Sequence, residues 1–163
     1  MSVTLPPYAA FLGITLEPVA PDASPVLRME FADGLAGRPG NLHGGAIAGL
    51  LDMAAHAALV NELAQSGKPA RFKPIGITID YVRGGKHRPT FARGRVTKVG
   101  SRVATVVVEA WQEEGKQIAA ARLHMLLAKA DGTSATDIEG NGGAERDRTA
   151  DLLHAMQALS QLS

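Results

Sequence analysis

From His43 to about Leu63 the chain reads as a helix that is apolar on nearly every side, and this stretch limits what the remainder can be. Alanine and leucine, both strong helix formers, dominate it. A helix without a polar face has nothing to offer water and must be buried on most sides. A loop rich in glycine and proline (residues 32 to 42) precedes it, and Ser66-Gly67-Lys68-Pro69 breaks it.

The flanking sequence supplies something to bury it. Ile75 to Val82, Thr90 to Val99, Arg102 to Glu113 and Gln117 to Leu127 are runs of β-favouring residues, separated by Gly84-Gly85, Gly100-Ser101 and Glu114-Gly115. In the third run Ala104, Val106, Val108 and Ala110 alternate with Val103, Thr105, Val107 and Glu109, so one face is continuously apolar. Two shorter runs, Ile14 to Val19 and Val26 to Phe31, come before the helix around a Pro21-Asp22 turn, and Pro6-Pro7 to Gly13 reads as a short opening helix. The expectation is two strands, one long helix and a four-stranded antiparallel meander, with the sheet curled around the helix.

Composition removes several classes of function. The 163 residues suffice for one domain with a real core. There is no cysteine, which excludes disulfides, thiolate metal sites and a cysteine nucleophile. The five histidines lack ligand spacing with carboxylates, so no metal is expected. A net charge of +1 argues against a nucleic-acid partner but leaves room for a local basic patch. No basic residue precedes Arg28, and the longest apolar stretch, Ala46 to Val60, is interrupted by Asp52 and His56 and is short for a bilayer. The expectation is therefore a cytoplasmic protein with no membrane contact.

The element order, His43-Gly44-Gly45, and Asp52 nine residues after the histidine resemble the hotdog-fold thioesterases, specifically their phenylacetate-pathway (PaaI-type) group. The resemblance covers roughly residues 8 to 128 and is strongest over Gly40 to Ala55, with Ile77 to Arg83 matching the first long strand after the helix. It implies an α+β hotdog fold in residues 1–130: an antiparallel β-sheet wrapped around one long central α-helix. It also implies an acyl-CoA thioesterase, an enzyme without a cofactor, since coenzyme A is part of its substrate. A homodimer would be the minimal active unit, assembling further to a homotetramer.

Within that frame the residues take roles. Gly44 and Gly45 carry no side chain, so a substrate can approach their amides, and they open a helix where unpaired N–H groups favour negative charge. By resemblance the Gly44 N–H polarises the thioester carbonyl; the alternative is that both glycines serve tight subunit packing. Asp52, set among Leu50, Leu51, Met53 and Ala54, is costly to desolvate unless paired or used. The resemblance makes it nucleophile or general base, and a structural aspartate is the other reading. Eight residues of helix place Gly44 and Asp52 about 12 Å apart, so one carbonyl touches both only if they come from different subunits. His56, one turn beyond Asp52, could bond the carboxylate or sit satisfied on the helix face; related enzymes often carry a hydroxyl there. His43 is expected to anchor the loop. Many relatives have an asparagine six residues before that histidine, where this chain has Gly37, and Asn41 substitutes only if the loop bends differently. Coenzyme A carries phosphates, and two basic turns are candidates for them: Arg83, Lys86, His87 and Arg88, and then Ser101 and Arg102.

Two alternatives stand beside hydrolysis: an acyl-CoA-binding protein with little or no turnover, and an acyl-thioester hydratase or dehydratase, which His56 keeps open. Residues 131–163 are read as outside the fold, with 131–144 as linker. Leu152, Leu153, Met156 and Leu159 recur at helix spacing, but the tail also back-translates as the complement of an alanine-tRNA gene, with His154 to Gln157 across the anticodon. The reading adopted is a frame running through a neighbouring tRNA gene, so that deletion of residues 132 to 163 leaves activity intact; a locus with no such gene on the opposite strand refutes it.

Overall fold

The structure, a computed structural model, describes residues 3–18, 20, 23–68 and 71–128. The Pro21-Asp22 turn, the break at Pro69 and everything read into residues 131–163 lie outside the described residues.

A five-residue helix α1 (Pro7–Phe11) opens the fold, with proline at its start and Gly13 in the left-handed region (φ 66°) just after it. Strands β1 (Ile14–Leu16) and β2 (Val26–Met29) follow, then helix α2 (Gly44–Gln65), then β3 (Phe72–Tyr81), β4 (Thr90–Val99), β5 (Val103–Glu113) and β6 (Lys116–Leu127). All six strands form one antiparallel sheet in the order β1-β2-β4-β5-β6-β3. With α2 lying across it, this is the hotdog arrangement.

Two expectations need correction. The last four strands are not a meander. Only β4, β5 and β6 run as consecutive hairpins; β3 pairs with β6, and residues 82–89 carry the chain over the β5–β6 end to begin β4 beside β2. That connection is too long for a tight hairpin turn, and run composition does not distinguish a hairpin from a crossover of equal polarity. Moreover β3 starts at Phe72 rather than Ile75, because Pro74 sits at a register shift on an edge strand, where proline is tolerated.

The helix is buried as its composition demands. Leu50, Leu51, Ala54, Ala55, Ala57 and Leu59 are wholly inaccessible and meet Leu27, Met29, Ala92, Val106 and Leu123 from the sheet. Small residues allow a close approach. A Cβ on Gly94 of β4 would lie 2.7 Å from the Ala54 carbonyl oxygen and 2.8 Å from the Ala58 Cβ, so α2 rests on the β4 backbone. At 22 residues α2 is long and apolar enough to cross a membrane, longer than the stretch marked off in the sequence, but 67% of its most apolar window is buried in the protein.

One stripe of α2 stays only partly covered: Ala48, Asp52, His56, Val60 and Ala64, each a turn beyond the last. Beside it, β3 is left bare. Ile77, Ile79 and Tyr81 pair with the inward-facing Leu123, Ala121 and Ala119, so they stand on the helix side of the sheet. Yet Ile77 and Tyr81 remain 47% and 54% exposed, because α2 lies over β2, β4, β5 and β6.

Candidate active site

The loop before α2 is tied down by backbone bonds. Gly37 N–H donates to the Asn41 carbonyl (3.0 Å), Asn41 N–H to Arg38 (2.9 Å) and His43 N–H to Leu35 (2.8 Å). His43 then caps the helix: its Nδ1 accepts from Gly45 N–H at 2.9 Å, which leaves the ring proton on Nε2. The Ala46 and Ile47 amides both reach the His43 carbonyl. Of the four amides that a helix start leaves without intrahelical partners, three are thus satisfied. The fourth, Gly44's, has no partner among the described residues, and it is the one that the resemblance assigns to the thioester carbonyl. Gly45 is equally bare, but its N–H is committed to His43.

Asp52 lies on the partly covered stripe. Burial alone pushes its carboxyl above the usual carboxylate range; no hydrogen bond or nearby charge from the described residues offsets it. Four residues on, burial lowers the His56 imidazole. The two are not joined: the His56 ring lies tilted against Phe72, with ring centres 4.9 Å apart. Along the helix Asp52 and Gly44 stand about 12 Å apart, so one chain does not bring the acid to the free amide.

The first basic turn is brought to the helix start. Leu42 N–H donates to the Gly85 carbonyl (2.9 Å), and Lys86 Nζ to Asn41 Oδ1 (3.1 Å). Asn41 also donates to the Pro39 carbonyl (3.1 Å), so its amide serves as a tether between two loops. Arg83 donates to the Gln117 carbonyl at 2.6 Å. Arg88 pairs with Glu113 at 2.6 Å, and the His87 ring lies tilted against Phe31 with ring centres 3.8 Å apart. Lys116 and Arg88 hold the Glu113 carboxyl below its ordinary range. Arg83 and Lys86 bond neutral acceptors and pair with no carboxylate among the described residues, Lys86 beside the helix start and Arg83 against β6, whereas the charge of Arg88 is met by Glu113.

Ser101 and Arg102 are not part of this group. They turn the chain from β4 into β5 at the opposite end of the strands, roughly 30 Å away for ten residues at 3.3 Å each. At the position where relatives carry asparagine, a Cβ on Gly37 would sit 3.0 Å from the His43 Cα and 3.4 Å from its backbone nitrogen, a tight fit in which the His43 backbone must give by a few tenths of an ångström to admit a side chain.

Two residues of the site carried no role in the sequence. Gln112 accepts from Lys86 N–H at 2.7 Å and donates towards the Lys86 and Arg88 carbonyls and Thr90 Oγ1, setting the basic turn. Tyr81 donates its hydroxyl to the Gly44 carbonyl at 2.9 Å. A polar residue at the end of an apolar alternation was the available signal for Gln112; nothing local marks Tyr81, which is 37 positions from its partner.

No group of three His, Asp or Glu side chains among the described residues is placed to hold a metal.

A helix start with one free amide, a basic turn bound to it and a desolvated acid further along are set on a hotdog frame. The family model described as "Thioesterase superfamily" matches residues 39–119, from the loop before α2 into β6. The chain belongs to the thioesterase superfamily. Solved structures agree on the fold. A phenylacetic acid degradation-related protein from Ralstonia eutropha JMP134 superposes with a TM-score of 0.64 at 22% identity, over 76% of this chain and 92% of that one. Zebra fish thioesterase superfamily member 2 gives 0.61 at 24% identity, over 71% and 82%. A hypothetical thioesterase protein from Streptococcus pneumoniae TIGR4, solved with coenzyme A, gives 0.60 at 18% identity, over 71% and 86%. No curated protein matches the chain.

Proposed function

We propose that this chain is an acyl-CoA thioesterase, active as a homodimer, that hydrolyses an acyl thioester to a carboxylic acid and free coenzyme A. The observation that carries the proposal is Asp52: a carboxylate without a partner among the described residues, on a helix stripe that those residues leave partly open. Desolvation without compensation is costly, and a group kept in that state serves chemistry better than structure.

In this reading a second subunit brings its Gly44 N–H to the thioester oxygen near Asp52. Ionised Asp52 takes a proton from water as the water oxygen adds to the carbonyl carbon; the carbon–sulfur bond then breaks, and the thiolate leaves to be protonated. In the variant with Asp52 as nucleophile, its oxygen adds instead, expels the thiolate and forms a mixed anhydride that water cleaves. Arg83 and Lys86 supply charge for coenzyme A phosphates, with His87 and Arg88 shaping their turn. Ser101 and Arg102 can join only from another subunit. A tetramer of two such dimers and a cytoplasmic location belong to the same proposal.

The uncovered β3 supports the dimer. An edge strand offers unpaired backbone groups, and this one adds exposed Ile75, Ile77, Tyr81 and Val82. Ile77→Arg is accordingly expected to yield a folded monomer by light scattering, with turnover down at least about tenfold. A fully active dimer formed by the Ile77→Arg protein would remove β3 from the interface.

The test of function is release of free thiol from a panel of acyl-CoAs, for the natural chain and for Asp52→Ala. Binding without release from any of them would instead favour the acyl-CoA-binding reading, which glycine at position 37 in place of the relatives' asparagine recommends. Release untouched by Asp52→Ala would discard the site. With the His56 ring on Phe72 and not on Asp52, hydration has no support from the geometry.

A further inference from the structure

We propose that Tyr81 is a positioning residue for the Gly44 amide, an inference that rests on the thioesterase reading above. Two adjacent glycines at a helix start are the least constrained backbone available, and a first turn frays unless held. An oxyanion donor must, however, be fixed before the reaction, since preorganisation is the source of its effect.

The geometry shows how this turn is held. The peptide unit between Gly44 and Gly45 is gripped at both ends: its oxygen accepts the Tyr81 hydroxyl at 2.9 Å, and its N–H donates to His43 Nδ1 at 2.9 Å. The preceding unit is fixed through the His43 carbonyl, which accepts from Ala46 and Ile47. Between the two stands the Gly44 Cα, and a Cβ built there would meet Cζ and the hydroxyl oxygen of Tyr81 at 3.4 Å. The Tyr81 ring therefore lies against Gly44 where a side chain would otherwise restrict it. The hydroxyl holds the carbonyl and the ring limits the swing of the Cα, so the free N–H keeps one direction. The ring comes from the end of β3, and thus the strand that remains uncovered also aligns the amide. Tyr81 is half-exposed, and phenylalanine fits in its place.

The experiment compares the full chain with Tyr81→Phe in thiol release from the same acyl-CoA panel, in binding of free coenzyme A, in melting temperature and dimer mass, and in hydrogen exchange by NMR at the Gly45 amide, which shares the gripped peptide unit and is hydrogen-bonded to His43. The expected result is kcat lower by roughly five- to tenfold with KM, coenzyme A binding, melting temperature and dimer mass unchanged, and Gly45 exchange several times faster. Unchanged kcat overturns the proposal, as does a loss of kcat that merely follows a fall in melting temperature or dimer mass. Should the natural chain release thiol from no acyl-CoA, the thioesterase reading fails by itself. Gly45 exchange then decides: faster exchange in Tyr81→Phe upholds the positioning role, and equal exchange ends it.

Discussion

Replacing Asp52 by asparagine is expected to lower kcat by about 10²- to 10⁴-fold, the usual contribution of a positioned base, while coenzyme A still binds. The substitution keeps the size of the side chain and removes only its ability to accept a proton or attack. The pH profile gives a second reading of the same group. Burial raises the Asp52 carboxyl, and the proposed mechanism uses its ionised form, so the acid limb of kcat/KM should lie above the range of an ordinary aspartate. Below that limb the rate should fall about tenfold per pH unit, and the limb should vanish in Asp52→Asn. Stability moves in the opposite sense. A carboxyl whose folded pKa exceeds its unfolded one contributes stability that is fully present below the unfolded value and lost as pH rises through the folded value. Asp52 thus weakens the fold at neutral pH. Asparagine should make the protein at least as heat-stable at pH 7, an advantage that disappears in acid. An inactive Asp52→Asn protein that melts well below the natural one at neutral pH would assign the residue to structure.

The second large effect is expected at Gly94. Valine there places its first carbon within 2.7 Å of the Ala54 carbonyl oxygen and 2.8 Å of the Ala58 Cβ, contacts made by helix backbone and a short side chain that cannot turn away. The helix must lift from β4, at a loss of about 1–3 kcal/mol and several degrees of melting temperature. Because Ala54 is two residues beyond Asp52, the acid moves with the helix, and turnover should fall further than stability alone explains. Gly49→Ala provides the contrast. Its closest contact, at 2.6 Å, is the free end of the Leu12 side chain, which can rotate aside. A Gly94→Val protein with unaltered melting temperature would remove the close helix–strand contact as the determinant of where α2 sits.

Much of this fold is legible in the chain because its strongest patterns are local. Alanine and leucine repeating through α2 and the alternation in β5 depend on residues a few positions apart, and both elements form where those patterns run. Strand neighbours are another matter. Whether β3 turns back on β4 or crosses to β6 depends on the path of residues 82–89, and those residues carry basic charge and glycine that suit either course. The same limit applies to the site. His43, Gly44 and Asp52 stand in one run of sequence, so their spacing was readable. Tyr81 reaches Gly44 only because β3 ends beside the helix start, and two basic turns of similar composition prove to lie at opposite ends of the strands.

The contact between Gly37 and His43 bears on how such a protein could be altered. Where relatives carry an asparagine, its reinstatement looks like a one-letter repair. Here the backbone of the capping histidine crowds that space, 3.0 Å from where the new carbon would be. The change would push against the residue that starts the helix and disturb the amide it was meant to assist. The outcome turns on whether the His43 backbone can yield a few tenths of an ångström, so the asparagine is best tried both alone and beside a change that widens the loop. A library that samples single substitutions would score position 37 with that contact in place, and only paired changes would separate the asparagine from the crowding it causes.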